Sequence, residues 1–148
     1  MNLKPFDADL YAAHDPAKHD IIKWFKTWGW KVHINPDAKG VDLIATNKKG
    51  KHYTIEVEVK NNWITDQFKY DTIHIAGRKQ KWINDTAIHV TINQDRTHFV
   101  LIPPEAWKHA KTIYKNTIYT TKEKFIEIPI RYCKTYSITQ DKGIYYGG

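Results

Sequence analysis

The chain has 148 residues, 41% hydrophobic and 14% aromatic, which excludes a disordered polymer and fits one domain spanning 1–148 with a core of its own. Its one cysteine excludes an internal disulfide framework and a CxxC zinc site, and none of the eight histidines falls into a metal-binding motif. The net charge is +7, and all but three of the 23 basic residues are lysine. Such a surface favours a polyanionic partner, nucleic acid or an anionic membrane face. No apolar run approaches ~20 residues and the N-terminus lacks an apolar leader, so the expectation is a soluble, cytoplasmic protein with no membrane span.

Residues 1–14 read as a short helix or arm. Asp15-Pro16 reads as an N-cap followed by proline at the first helical position. Ile21, Trp24, Phe25 and Trp28 recur at helical spacing and Gly29 stands where a C-terminal cap belongs, so a helix is expected over 16–28, with Trp24 and Trp28 in the core. Strands follow at 30–34 and 41–46. Asn47 to Gly50 is a turn, its lysines a solvated tip, and His52–Lys60 is the clearest strand of the chain. A strand at 71–75 leads into a helix opening near Ala76. Segments 86–92 and 97–102 form a hairpin, a short helix runs from Pro103 to about Lys111, and two strands lie within 112–132. Cys133 reads as a strand residue without chemistry, and 139–148 as an aromatic, glycine-ended tail. The order predicts an α/β or mixed α+β fold around a mixed sheet.

The strand at 52–60 carries the chemical signal. Side chains alternate along a strand, so Ile55, Val57 and Val59 share one face while Glu56, Glu58 and Lys60 share the other. The tripeptide acid-x-Lys alone means little, since random order gives roughly two in this composition and the chain holds two, Asp37-Ala38-Lys39 and Glu58-Val59-Lys60. The second ends a strong strand, and a tight turn joins that strand to Asp42, the one acid in the apolar run Val41-Asp42-Leu43-Ile44-Ala45. An acid there costs desolvation free energy unless a cation meets it. Two carboxylates and a lysine suit phosphodiester hydrolysis: Asp42 and Glu58 would hold Mg2+, and Lys60 would orient the attacking water and stabilise developing charge. Glu56 is an accessory ligand or a solvated side chain. The plain alternative is a charge ladder on a half-buried strand. Asp42 shares the face of Glu56, Glu58 and Lys60 only if paired residue numbers sum to an even value, which a three- or five-residue loop or a bulge gives and a two- or four-residue loop does not.

The segment GVDLIATNKKGKHYTIEVEVK, at 40–60, resembles the core of the PD-(D/E)XK nuclease superfamily, in particular its Holliday junction resolvase-like branch. The resemblance covers residues 15–90 in outline. It implies a restriction-endonuclease-like core, a central mixed sheet flanked by helices, with Asp42 and Glu58 as metal ligands and Lys60 as the catalytic lysine. It implies Mg2+ or Mn2+ as cofactor and DNA as substrate, cut endonucleolytically, and for junction resolution a homodimer. Pro36-Asp37 is literally a "PD", so Asp37 competes with Asp42; Asp42 is preferred because the family places this acid within the strand. Resolvase-like members often carry a glutamate in the first helix, where this chain has Asp20 beside His19, each a helper for the metal or a solvated side chain.

Arg78, Lys79 and Lys81 open the helix after the fourth strand and either grip phosphates or form an ordinary basic helix end. Trp63 and Trp82 are the tryptophans placed for base stacking. Three readings stand together: a metal-dependent DNA nuclease, a non-catalytic nucleic-acid-binding protein with a degenerate nuclease fold, and an α+β interaction domain whose charge serves solubility.

Overall fold

The computed structural model describes residues 8–37, 39–64, 66–139 and 144–146, with side chains described between residues 16 and 138. Helix α1, Ala8–Thr27, begins earlier than expected and runs through Pro16, so Asp15-Pro16 is not its start. Proline inside a helix forfeits one backbone bond, and the flanking turns carry it. The other end is as the sequence implies. Gly29 takes φ +82°, its N–H meets the Lys26 carbonyl at 2.9 Å, and the Trp30 N–H reaches back to Phe25 at 3.3 Å. This is the Schellman arrangement that a glycine at this position permits.

Strands β1 (Lys31–Ile34), β2 (Leu43–Thr46) and β3 (His52–Lys60) form an antiparallel meander. After β3 the chain leaves the sheet for β4 (Thr72–Ala76) and a 3-10 helix at Gly77–Trp82, shorter and tighter than the helix expected there. It returns as β5 (Ala87–Asn93), which pairs parallel with β3, and turns into β6 (His98–Ile102). A second 3-10 helix, Pro104–His109, replaces the expected short helix. Strands β7 (Lys111–Lys115) and β8 (Glu123–Pro129) follow, then β9 (Lys134–Thr139) and β10 (Ile144–Tyr146). β9 was not expected; β10 falls in the expected tail, whose remainder lies outside the described residues. Cys133 is not in a strand: it follows a 3-10 turn at Ile130–Tyr132.

Two sheets result. The larger has the order β1-β2-β3-β5-β6-β9-β10, mixed because β3 and β5 run parallel; the smaller is antiparallel, β4-β8-β7. The fold is thus mixed α and β around a mixed sheet. Helices do not flank both faces, however. α1 covers one face, where Ile21, Trp24 and Phe25 pack on Val57, Val90, Phe99 and Tyr136. The other face is covered by the small sheet, with Ile73, Ile75, Ile126 and Ile128 packed against Val100 and Ile102. Strand β5 lies beneath both covers and is buried along its whole length. Among the described residues, no helix is long and apolar enough to cross a membrane.

Candidate functional site

The β2–β3 loop decides where Asp42 lies. Thr46 pairs with His52, leaving five loop residues, 47–51. Asn47 fixes this loop: its side-chain oxygen accepts the N–H groups of Lys49 (3.0 Å) and Lys51 (2.9 Å), while Gly50 turns at φ +84°. Every paired number therefore sums to an even value, and by the same parity Asp42, one residue ahead of β2, falls opposite Glu56.

At that point a carboxylate replaces part of the backbone ladder. Asp42 Oδ2 accepts the Val57 N–H at 2.9 Å, and the Asp42 N–H donates to Glu56 Oε2 at 2.7 Å. Each acid also meets a lysine. Lys18 Nζ comes from α1 to 3.2 Å from Asp42 Oδ1, and Lys79 Nζ comes from the 3-10 helix to 3.5 Å from Glu56 Oε1. Glu56 is buried rather than solvated. Burial pushes its carboxyl above the usual glutamate range, Lys79 pulls it back and Asp42 adds to the rise.

Further along β3, Glu58 is a third exposed, with Oε2 at 3.8 Å from His89 Nε2. His89 lies opposite Glu56 on β5 and is fully enclosed; burial first and Lys79 second hold its imidazole neutral, well below the ordinary histidine range. Among the described residues, neither His89 ring nitrogen nor the Thr91 hydroxyl has a hydrogen-bond partner. Lys60 is half-buried opposite Asn93 and makes no ion pair among the described residues. Asn93 organises the turn beyond it, its Oδ1 accepting the N–H groups of Thr97 (2.8 Å) and His98 (3.1 Å).

The structure thus brings Asp42, Glu56, Glu58 and Lys60 onto one face. Asp20 is near that end of the sheet but is not solvated: it is paired at 3.2 Å with Arg96 of the β5–β6 turn. Burial raises its carboxyl, against the lowering by Arg96, Lys23 and His19. Asp37 is exposed and spends Oδ1 on the N–H of Lys39, so it holds its own loop. Three further expectations about side chains are corrected. Trp63 is core, 5% exposed, because the chain after β3 sets it in the cluster with Ile73 and Ile75 of the small sheet. Lys79 points inward to Glu56. Cys133 is not a strand residue; it is half-enclosed, and burial pushes its thiol up to about 12. Arg78 and Lys81 are exposed, as phosphate contacts require.

Lys18 and His89 were missed. Lys18 lies three and seven residues before Ile21 and Phe25, on the apolar stripe of α1, and a lone lysine on such a stripe is the available signal. His89 gives none, since a strand buried on both faces has no alternation to read.

The donor chemistry suits a hard divalent cation, which takes one or two carboxylates and keeps several waters. Glu58 is the least committed acid. Asp42 offers Oδ1 only if Lys18 gives way, and Glu56 is fully engaged. Among the described residues, no set of three or more His, Cys, Asp or Glu is grouped to hold a metal ion. Neither the protein-family models nor the curated proteins searched contain a match to this sequence.

Proposed function

We propose that this protein is a metal-dependent DNA nuclease of the PD-(D/E)XK type, hydrolysing phosphodiester bonds at Asp42, Glu58 and Lys60. The observation that carries the reading is the even register, which sets these three side chains on one face around a parallel strand pair. The element order supports it as well: a helix, a three-stranded meander, then a strand parallel to the third. Asp42 and Glu58 hold Mg2+ or Mn2+, which when bound neutralises charge on the scissile phosphate. Lys60, without an ion pair among the described residues and at the strand end, orients the attacking water and stabilises the charge that develops. Arg78 and Lys81 contact phosphates on either side. Cleavage of branched DNA is the structure-selective form of the reading and calls for a two-fold dimer.

The test is supercoiled plasmid incubated with Mg2+, Mn2+ or EDTA, for the parent and for Glu58→Ala and Lys60→Ala. Metal-dependent cutting reduced at least about a hundredfold in both variants is expected. Absence of cutting on supercoiled, branched and single-stranded DNA would overturn it. One observation favours a second reading, a nucleic-acid-binding protein without catalysis: Lys18 and Lys79 already neutralise Asp42 and Glu56. That reading predicts DNA binding indifferent to Glu58→Ala.

A further inference from the structure

Beside the acid face, between the β2–β3 end of the large sheet and the C-terminal end of the first 3-10 helix with the residues just after it, lies a groove of about 500 Å³. Ile44, His52 and Thr54 line it from the sheet, and Lys81, Trp82 and Asn84 from the other side. Its size is that of a small-ligand site, and too small for a duplex. Two of its residues also border the inner cavity that holds Glu56, Lys79 and His89, namely Thr54 and Trp82. Thr54 precedes Glu56 by two residues and Val41, another lining residue, precedes Asp42, so groove and acid face are continuous.

Among the described residues, the polar groups left uncommitted on the Trp82 side are donors. Asn84 spends its side-chain oxygen on the N–H and the hydroxyl of Thr86, both at 2.9 Å, which leaves its NH2. The Lys81 ammonium stands 5.0 Å from the centroid of the Trp82 ring. Across the groove, the Nδ1 of His52 is taken by Thr46 at 3.1 Å, leaving Nε2. A ligand that satisfies this wall has a flat face for the indole, acceptors for the amide and negative charge for the ammonium. A base within a duplex has both faces covered by its neighbours, so only an unpaired base can lie on an indole.

We propose that this groove binds one unpaired nucleotide of a DNA strand, its base stacked on Trp82, its acceptors on Asn84 and its phosphate on Lys81. A base entering displaces the Lys81 ammonium from the ring, and the freed ammonium meets the phosphate. The inference deepens the nuclease reading by naming the substrate form, a strand unpaired next to the cut.

The experiment is binding in EDTA, where no cleavage enters. The probe is a short single-stranded oligodeoxynucleotide carrying 2-aminopurine, whose fluorescence falls when it stacks, compared with the same strand in a duplex and with RNA of the same sequence. The parent protein is expected to quench the probe and to bind the single strand tighter than the duplex. Trp82→Ala is expected to weaken binding about tenfold or more and abolish quenching, with Trp82→Phe keeping most of both. Should Trp82→Ala fail to fold, Lys81→Ala and Asn84→Ala, both at surface positions, are each expected to weaken single-strand binding several-fold. Lys49→Ala at the hairpin tip has little effect. Equal affinity for duplex and single strand without quenching, or unaltered binding by the groove variants, would overturn the proposal. Tighter binding of RNA would overturn its DNA part. Since the plasmid assay reads cleavage and this one reads stacking without metal, either can fail alone.

Discussion

Removal of the Lys79 ammonium at nearly constant volume, by Lys79→Met, tests the electrostatics of the acid face. The Lys79 and Glu56 side chains are each only 11% exposed and their charges stand 3.5 Å apart. At an effective dielectric of about 20 the gross attraction is on the order of 4–5 kcal/mol, and breaking a buried pair on one side costs about 3–5 kcal/mol. Glu56 limits that cost by taking up a proton while keeping its bond from the Asp42 N–H. The folded carboxyl is already raised, so its contribution to stability is full below the unfolded value and is lost as pH rises through the folded one. Without Lys79 the folded value rises further. The penalty relative to the parent therefore grows with pH, to about 3 kcal/mol at pH 8, and shrinks to about 1 kcal/mol near pH 5. Buried neutral His89 costs both proteins stability as pH falls below its unfolded value, and costs less without the Lys79 charge that helps hold it low, which also shrinks the difference between them in acid. Urea unfolding at the two pH values measures it, with the melting temperature falling roughly 6–12 °C at pH 8. Lys79→Met/Glu56→Gln should recover most of the loss. A penalty below about 1 kcal/mol at pH 8, or one that does not shrink in acid, refutes the reasoning.

Three other outcomes are expected. Trp24→Ala empties the centre of the aromatic cluster under α1, where Trp24 meets Phe99 at 4.8 Å and Tyr136 at 4.6 Å between ring centroids, and should cost about 3–5 kcal/mol in denaturant unfolding. With its thiol pushed up to about 12, Cys133 should resist a thiol reagent at pH 8 in the native protein and react fully on unfolding; rapid native labelling would contradict its burial. Lys18→Met frees Asp42 Oδ1, so Mn2+ affinity followed by electron paramagnetic resonance should tighten about fivefold, the equivalent of losing a partly buried ion pair worth about 1 kcal/mol. Unchanged affinity would mean that Lys18 does not compete for that position.

What the sequence disclosed follows from local patterns. His52–Lys60 was legible to its ends because alternation is strict there, and Gly29 because a left-handed cap selects glycine. The shared face of Asp42 and Glu58 hung on a loop count that only the structure supplies, through the two bonds accepted by Asn47. The small sheet was hidden for a different reason. β4 pairs with β8 across some fifty positions, and neither strand signals which partner it takes. That concealed cover is also why Trp63 looked available for stacking and Lys79 available for phosphate. Pro16 shows local preference overruled by the continuing helix, as the two 3-10 segments show it overruled by short connections.

The distance between β4 and β8 also constrains the order in which the chain can assemble. α1 and the meander need only the first sixty residues. Ile73 and Ile75 lack their strand partners Ile128 and Ile126 until the chain has reached residue 129. A chain growing from its N-terminus thus passes through a stage with α1 on the meander and the opposite sheet face bare and sticky. Lys79 travels on the same connection, so Glu56 meets its counter-charge only once that connection docks. Docking of the small sheet therefore closes the second core and balances the charge of the acid face together, and the long-range pairing makes it a slow step.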